Sequence, residues 1–310
     1  MTQTLLPVAL ARCDTYDAIP LKAVMAELWA AIAFQPVRGS SILVKPNLIA
    51  AKGGPLCCTQ VEVVSAACEL LLDLGVVVRV GDSPAFGSAQ AVGRSIGLDQ
   101  ALARLNVPLV TLGRPKRLTL SFKAGIGVSR HALEADLLLS LPRLKAHGQL
   151  RLTSAVKNLF GCVTGIRKAF AHARFGGRGT RFEEMILDIM RALPPTVTVL
   201  DAITAMHVHG PIGGEPCHLG LLAASRSPVA LDTAIYGILH TTPEVMPLWH
   251  EIQRQGLPGA RPEELAFPLE RPEAFDASGF VLPPQLSAME FTPRRILRGM
   301  VRRIKARLMP

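Results

Sequence analysis

Two mostly apolar runs, each followed at once by polar residues, constrain the fold more than any other feature of the sequence. The first is S-I-L-V-K-P-N-L at residues 41–48, and the second is V-V-V-R-V at 76–80, followed by G-D-S-P. A helical pattern separates them, and strand, helix and strand with a polar turn at each strand end form a βαβ unit. Ligands bind at the carboxyl edge of such sheets. We therefore expect that edge to carry the side chains of Lys45, Asn47, Asp82 and Ser83.

The same alternation of strands and helices continues through most of the chain. Further strands are predicted at residues 6–12, 135–141, 197–203 and 219–225, and further helices at 21–34, 154–163, 182–193 and 228–239. The helix at 59–74 is expected to begin with a capping box formed by Thr59 and Glu62. With 310 residues, 49% of them hydrophobic, the chain can bury one large core. These patterns predict a single α/β domain over residues 1–290, with a mostly parallel or mixed sheet flanked by helices.

A cluster of polar side chains with one sign of charge follows the predicted strand at 135–141. Between Asp136 and Glu183 the sequence contains no acidic residue, and residues 139–172 offer a run of basic and polar groups. Glycines within this stretch let the backbone approach a ligand closely, and its apolar flanks predict that it is only partly exposed. A solvated surface usually mixes its charges, so the segment favours an anion-binding site. The alternative is a basic surface segment that pairs with carboxylates from elsewhere in the chain.

The first functional hypothesis is an enzyme that acts on an anionic small molecule by proton or electron transfer. Lysine ammonium groups would neutralise a carboxylate or phosphate, and amide, hydroxyl and backbone N–H groups would orient it. A carboxylate, thiol or histidine whose pKa is shifted by burial could move the proton, and a thiol ionised by nearby lysines could be a nucleophile. The candidate catalytic residues are Asp82, Lys145, Lys157 and Cys162. The candidate substrate-binding residues are Lys45, Asn47, Ser83, His147, Asn158, Lys168, His172, Gly213 and Gly214.

Several of these residues also have a purely structural interpretation. Cys162, which stands beside Phe160 and Val163, could be a small core residue, and Asp82 could be a structural hydrogen-bond acceptor. A purely structural role explains Lys145 and Lys157 least well, since lysines are rarely buried without a partner.

The second hypothesis is a metal or iron–sulfur site built from residues that are distant in the sequence. The six cysteines show no C-x-x-C spacing and no ferredoxin-type run, so the sequence leaves the cofactor open. The candidate ligands are Cys162, Cys217, His207 and His209. Reduced thiols, with no recognisable signal peptide and no apolar run of membrane-spanning length, predict a cytoplasmic protein.

The net charge of +10 is concentrated near the C-terminal end of the sequence. Residues 291–310 hold seven basic residues and no acid, leaving about +3 for the rest of the chain, which argues against nucleic acid as a partner. An apolar stripe among these basic residues predicts an amphipathic helix on an anionic membrane surface. Alternatively, this helix docks on the body of the protein. The third hypothesis is therefore a non-catalytic scaffold held at the inner face of a membrane.

Six motifs together resemble the pattern of a known family. They are K-P-N at 45–47, G-D-S-P at 81–84, L-P-R-L-K-A-H at 141–147, A-V-K-N-L-F-G-C-V-T-G at 155–165, G-P-I-G-G-E-P at 210–216 and A-S-R-S-P-V-A-L-D at 224–232. Over nearly the whole of residues 41–239 the chain resembles the domain-of-unknown-function family 362. This resemblance implies a bacterial or archaeal α/β protein without a settled activity.

Some members of this family carry an added ferredoxin domain, and the group is often described as iron–sulfur-related. The resemblance therefore implies a link to redox chemistry and to a redox partner protein, although this chain lacks the cysteine run of a ferredoxin. The fold is also expected to be similar to that of lactate-racemase-type proteins.

Overall fold

The computed structural model describes residues 5–85, 87–176 and 179–286. Within these residues the strands are β1 (Leu6–Arg12), β2 (Ser41–Pro46), β3 (Val77–Asp82), β4 (Leu109–Thr111), β5 (Pro115–Thr119), β6 (Gly125–Ser129), β7 (Leu137–Leu141), β8 (Arg143–His147), β9 (Arg151–Thr153), β10 (Thr196–His207), β11 (Glu215–Ser225) and β12 (Leu265–Ala266). The α-helices in the same ranges are α1 (Ala18–Ala31), α2 (Val61–Asp73), α3 (Ala89–Ile96), α4 (Leu98–Arg104), α5 (Arg130–Leu133), α6 (Ala155–Leu159), α7 (Arg167–Phe175), α8 (Arg181–Ala192), α9 (Pro228–Ile238) and α10 (Pro247–Arg254). Short 3-10 helices occupy Ala51–Gly53, Pro55–Cys57, Phe160–Cys162, Pro262–Glu264 and Pro272–Ala274.

Most of the strands in these ranges form one mixed sheet. Its order is β12–β1–β11–β10–β7–β2–β3–β4, and β8 and β9 are attached beside β10. The strands from β10 to β4 run parallel, whereas β11 is antiparallel to both β10 and β1. Strands β5 and β6 form a separate antiparallel hairpin. The prediction of an α/β fold with a mostly parallel or mixed sheet is confirmed.

Helices cover both faces of the sheet, and successive side chains of each strand pack on opposite faces. In β2, Ile42 and Val44 pack in the core formed with α1 and α2, whereas Leu43 packs on the opposite side with α6 and α8. Strands β1 and β10 contribute in the same way to a further group of buried residues around α9. Because the faces are covered, a ligand can reach the sheet only at the ends of its strands.

The polar stretch after β7 is a strand, not the partly exposed segment that the sequence indicated. Pro142 interrupts the pairing, and β8 then continues along β10. All five residues of β8 are buried, including Arg143, Lys145 and His147. Because β8 extends the sheet beyond the end of β7, its charged side chains lie inside the molecule and need partners there.

The predicted capping box at the start of α2 is wrong. The helix begins at Val61, and Gln60 precedes it without a side-chain cap. The hydroxyl of Thr59 instead donates to the carbonyl oxygen of Leu141 at 2.5 Å and accepts from the Asn47 N–H at 2.8 Å. Thr59 therefore connects the ends of β2 and β7, and this tertiary contact replaces the local capping interaction.

Two sequence features bear on membrane contact: helices long enough to span a bilayer and the basic segment at residues 291–310. No helix in the described part of the chain is both long and apolar enough to cross a membrane. The amphipathic helix predicted for residues 291–310 lies outside the described residues, so it stays a prediction.

Candidate functional site

The strand order reverses between β2 and β7. From β2 the chain proceeds to β3 and β4 on one side of the sheet, and from β7 it proceeds to β10 and β11 on the other. Open α/β sheets bind ligands in the crevice outside the carboxyl ends of the strands at such a reversal. Three of the sequence motifs meet at this edge of the sheet. K-P-N lies at the end of β2, G-D-S-P at the end of β3, and L-P-R-L-K-A-H directly after β7.

Lys45 and Asp82 form a buried ion pair at the crevice. Nζ of Lys45 and Oδ1 of Asp82 are 2.9 Å apart, and both side chains are almost completely inaccessible to solvent. Nζ of Lys45 also donates to Oδ1 of Asn158 at 3.2 Å. Asp82 accepts hydrogen bonds from the backbone N–H groups of Leu48 and Ser83, both at 2.8 Å. The pair holds the ends of β2 and β3 together while the two charges compensate each other.

Two asparagines connect this pair to Lys145. Nδ2 of Asn47 donates to Oδ1 of Asn158 at 2.9 Å, and Oδ1 of Asn47 accepts from Nζ of Lys145 at 2.5 Å. Nζ of Lys145 also donates to the carbonyl oxygen of Cys57. Nδ2 of Asn158 donates to the Ser140 hydroxyl at 3.0 Å. The network thus supplies partners for polar groups that burial has removed from water.

The short helix α6 carries Lys157 and Asn158 into the crevice. The carboxylate of Asp232, on α9, accepts hydrogen bonds from the N–H groups of Ala155 and Val156 at 2.7 and 3.1 Å. Burial raises the pKa of Asp232 to about 6, so the carboxylate is mainly ionised at neutral pH. A charged acceptor at this end of a helix is favourable, and it fixes the direction of α6 relative to α9.

The chain after α6 approaches the ion pair so closely that only glycine fits. A Cβ on Gly161 would overlap Nζ of Lys45 and lie 2.6 Å from Oδ1 of Asp82. The 3-10 turn at Phe160–Cys162 is therefore packed directly over the charged groups. This contact is the physical reason for the glycine in the motif A-V-K-N-L-F-G.

Two half-buried lysines add positive charge to the network. Nζ of Lys168 donates to the carbonyl oxygen of Ser83. Nζ of Lys157 lies 4.8 Å from the centre of the Phe160 ring, and among the described residues it has neither a hydrogen-bond acceptor nor a carboxylate partner. We call the set of four lysines the lysine cluster: Lys45, Lys145, Lys157 and Lys168.

Burial and the neighbouring charges lower the pKa values of two members of the lysine cluster. Burial and then repulsion from the neighbouring lysines lower the pKa of Lys157 to about 7, and attraction to Asp82 offsets only part of this shift. Burial likewise lowers the pKa of Lys145 to about 8. A group whose pKa is close to the ambient pH both accepts and releases a proton readily. Lys157 therefore combines a pKa near neutral pH with an amine that has no hydrogen-bond acceptor in the described part of the chain.

Two neutral histidines adjoin Lys157 in aromatic surroundings. The rings of His147 and His172 are stacked, with 6.4 Å between their centres. His172 also contacts Phe160 and Phe182, at 5.3 and 4.5 Å between ring centres. Burial, followed by the charge of Lys157, lowers the pKa of both histidines well below the ordinary value. Both rings are therefore uncharged at neutral pH.

The thiol of Cys162 is not the ionised nucleophile that the sequence suggested. It is fully buried among the apolar side chains packed with α6 and α8. Burial raises its pKa to about 11, although Lys45 acts in the opposite direction. The alternative interpretation of Cys162 as a small core residue is the one that agrees with the structure.

The candidate metal ligands do not form a ligand group in the described part of the chain. No three His, Cys, Asp or Glu side chains are placed there to share a metal ion. Cys217 lies on β11 and His207 on β10, and Nδ1 of His207 accepts the backbone N–H of Val281 at 3.1 Å. Gly213 and Gly214 lie in the loop between these strands, and their role as anion donors stays a prediction.

A second buried ion pair, which sequence reasoning missed, lies beside the site. Arg143 of β8 and Asp201 of β10 are 3.1 Å apart, and both side chains are inaccessible to solvent. The Tyr16 hydroxyl donates to Asp201 at 2.8 Å. The sequence did carry a signal, because Arg143 follows a buried strand directly, where an unpaired charge would be costly. The partner, which is far along the chain, could not be identified from it.

Comparison with known proteins gives a family match, a curated relative and matches to solved structures. Residues 42–237 match the family model described as domain of unknown function (DUF362). A thylakoid-associated protein of Synechocystis sp. is 39% identical over 264 residues, which cover 84% of this chain and 82% of the relative. The lactate racemase apoprotein from Thermoanaerobacterium thermosaccharolyticum matches with a TM-score of 0.43 and 13% identity, covering 74% of this chain and 56% of that one. A protein from Thermotoga maritima matches with a TM-score of 0.41 and 11% identity, over 70% of this chain and 57% of that one. The chain thus spans little more than half the length of these two solved structures.

The family match includes every element that builds the crevice. It begins in β2 and ends in α9, so it contains the ion pair, the lysine cluster, both histidines and the cap of α6. The motifs that carry the sequence resemblance are the same segments that meet in the structure. The chain belongs to the family described as domain of unknown function (DUF362).

Proposed function

We propose that the protein is an enzyme that binds a small anionic organic molecule at the lysine cluster and transfers a proton on it. A charge imbalance carries this proposal. Among the described residues, Lys45 is ion-paired with the carboxylate of Asp82, whereas Lys145 is bonded to neutral oxygens and Lys157 lies over an aromatic ring. Ammonium groups held in a crevice with restricted access to water are costly unless an anion accompanies them.

Lys157 is the member of the cluster best suited to receive that anion. Lys45 already bonds to Asp82 and Asn158, and Lys145 bonds to Asn47 and a backbone carbonyl. A carboxylate or phosphate that binds Lys157 therefore displaces none of these internal bonds. The bound anion would also favour the ammonium form and reverse the lowering of the Lys157 pKa.

Proton transfer is the chemistry that the surroundings of Lys157 support. In the absence of a ligand its pKa of about 7 leaves comparable amounts of amine and ammonium at neutral pH. The uncharged imidazoles of His147 and His172 are near enough for the charge of Lys157 to lower their pKa values further. General acid–base catalysis is most effective when the pKa of the catalytic group lies near the operating pH.

The binding part of the proposal is tested by calorimetric titration with inorganic phosphate, citrate and pyruvate. We expect Lys157→Met to weaken binding by about tenfold or more, since hydrogen bonds to charged groups contribute roughly 1.5–3 kcal/mol. Lys116→Met, which removes an exposed lysine on β5, is the matched control and should bind like the unaltered protein. Failure of all three anions to bind, or equal binding by Lys157→Met, would overturn the proposal.

The catalytic part is tested by deuterium exchange into the same organic anions. Incubation with the protein in D2O, followed by NMR, should show incorporation at a C–H bond next to a carboxylate or carbonyl carbon. Lys157→Met should abolish this incorporation, while Lys116→Met should leave it unchanged. Binding without any exchange would support a non-catalytic binding protein instead.

A second proposal concerns location: we infer that residues 291–310 attach the protein to an anionic membrane surface. This inference is supported by the concentration of basic residues there and by the printed description of the Synechocystis relative as thylakoid-associated. Flotation with vesicles of anionic phospholipid should recover the full chain, whereas a chain that ends at residue 286 should stay in solution. Equal flotation of the two chains would contradict the inference.

A further inference from the structure

The amine of Lys157 differs from the other amines of the lysine cluster in its freedom to react. Lys45 and Lys145 are completely buried and bonded to acceptors of the protein, and Nζ of Lys168 donates to the carbonyl oxygen of Ser83. Lys157 is half-buried, and its contact with the Phe160 ring leaves the nitrogen lone pair, once deprotonated, without a competing donor in the described residues. A desolvated lysine beside other cations is the usual form of a nucleophilic amine.

Two buried histidine rings lie behind the aromatic ring that this amine contacts. Phe160, which carries Nζ of Lys157 over its ring, packs edge-on against His172, and His172 stacks on His147. Nδ1 of His147 accepts backbone N–H groups at 3.2 Å, so its proton resides on Nε2 in the neutral ring. Nδ1 of His172 lies 2.6 Å from Oε1 of Gln149, which holds that ring in place.

We propose that Lys157 is a nucleophile that forms an imine with a carbonyl group of the anionic substrate. The substrate class is then an organic anion whose aldehyde or ketone carbon lies close to its carboxylate or phosphate, such as a 2-oxo acid. This inference rests on the proposed function, because the same cluster that binds the anion places the carbonyl carbon next to Lys157. The amines of the remaining lysines stay bonded inside the protein, and their positive charge favours an anionic group near Lys157.

The reaction balances with the groups that are present. The lone pair of the Lys157 nitrogen forms a bond to the carbonyl carbon, and the carbonyl oxygen takes up a proton, giving a carbinolamine. The nitrogen then loses a proton, the C–O bond breaks with uptake of a second proton, and water leaves. No electron is gained or lost, and hydrolysis reverses the sequence. The protonated imine acidifies the neighbouring C–H bond, which links this step to the proton transfer proposed above.

The test is reductive trapping with pyruvate and cyanoborohydride, followed by peptide mass mapping. We expect the reduced pyruvyl adduct predominantly on the peptide that contains Lys157, and we expect inorganic phosphate to suppress it by competing for the site. Lys116 and the other exposed lysines report the background reaction under the same conditions.

Two variants separate the inference from the proposed function. Lys157→Arg keeps the positive charge but cannot supply a neutral amine, so it should still bind inorganic phosphate while losing the adduct. Lys157→Met should lose both. Phosphate and pyruvate binding with no adduct at Lys157, or an adduct spread evenly over the exposed lysines, overturns the imine but leaves anion binding intact. Absence of both binding and adduct overturns the two proposals together.

Discussion

At the scale of single residues, the buried ion pair between Lys45 and Asp82 is the contact on which the site depends. Removing either partner leaves an unpaired charge that is buried from solvent, and such losses cost about 3–5 kcal/mol. We expect Lys45→Met and Asp82→Leu each to lower the free energy of unfolding by about this amount, as measured by urea titration. The double variant should lose less than the sum of the two single losses, because it leaves no charge unpaired. Additive losses would show that the two charges are not coupled.

The protonation state of Lys157 should make both anion binding and imine formation depend on pH. Its pKa of about 7 in the folded protein reflects burial, the other members of the lysine cluster and a partly compensating Asp82, with the neutral rings of His147 and His172 alongside. The affinity for sulfate, whose charge is constant near neutral pH, needs the charged amine, so it should decrease as the pH rises through 7. Imine trapping needs the neutral amine, so it should increase over the same range.

Anion affinity and imine trapping should therefore change in opposite directions with pH. Calorimetry measures the affinity, and mass mapping measures the trapped imine. In Lys157→Arg the sulfate profile should lose this step near pH 7, because arginine stays charged. If the step persists in Lys157→Arg, a different group is responsible for it.

At the scale of single elements, the turn after α6 is the most tightly constrained part of the site. In Gly161→Ala the new methyl group would collide with Lys45 and Asp82, so the turn or the ion pair must move. Overpacking of this kind costs about 1–3 kcal/mol. We expect a lower free energy of unfolding and weaker phosphate binding, measured by denaturation and calorimetry.

A second glycine provides the matched control for this substitution. Gly237 is exposed on α9, and a Cβ there meets no atom within 4 Å. Gly237→Ala should stabilise the protein by about 0.5–1 kcal/mol, because alanine loses less backbone entropy in a helix. The opposite signs expected for the two glycines distinguish a specific collision at Gly161 from a general effect of alanine.

The cap between α9 and α6 makes the position of Lys157 dependent on a residue far away in the sequence. Asp232→Ala removes the acceptor for the N–H groups of Ala155 and Val156 and should cost about 1–3 kcal/mol, since buried donors are left unsatisfied. Asp232→Asn keeps an acceptor oxygen and should cost less. Both variants are measured by thermal unfolding, and an unchanged melting temperature in Asp232→Ala would contradict this role.

At the scale of the whole molecule, the sheet buried between two helical layers should be its most stable part. Strands β2, β7 and β10 have neighbours on both sides and helices on both faces, whereas most residues of β5 in the separate hairpin are exposed. Hydrogen exchange followed by mass spectrometry should therefore show the slowest amides in the three central strands and much faster ones in β5. Comparable rates in both regions would contradict this ordering of stability.

The sequence predicts the fold class well because its signals are local. The buried strands and the helices between them are read from apolar periodicity, and short turns leave few ways to connect them. The positions of Lys45, Asn47 and Asp82 at strand ends follow from the same patterns, since parallel strands end at one edge of a sheet. The polar strand β8 was missed because its charged residues interrupt the apolar pattern on which strand prediction relies.

The sequence by itself thus determined the α/β class, the edge at which the polar residues gather and the lysines that supply the positive charge. Only the tertiary structure decided which of those lysines has no hydrogen-bonding or ion-pair partner among the described residues, because pairing depends on residues distant in the chain. Lys45 is paired with Asp82 and Lys145 with Asn47, while Lys157 lies on α6, whose first N–H groups donate to Asp232. It also decided that the Cys162 thiol is held in its protonated form, since burial outweighs the nearby lysines. Desolvation and long-range pairing set the chemistry of each group, and neither can be read from neighbours in the sequence.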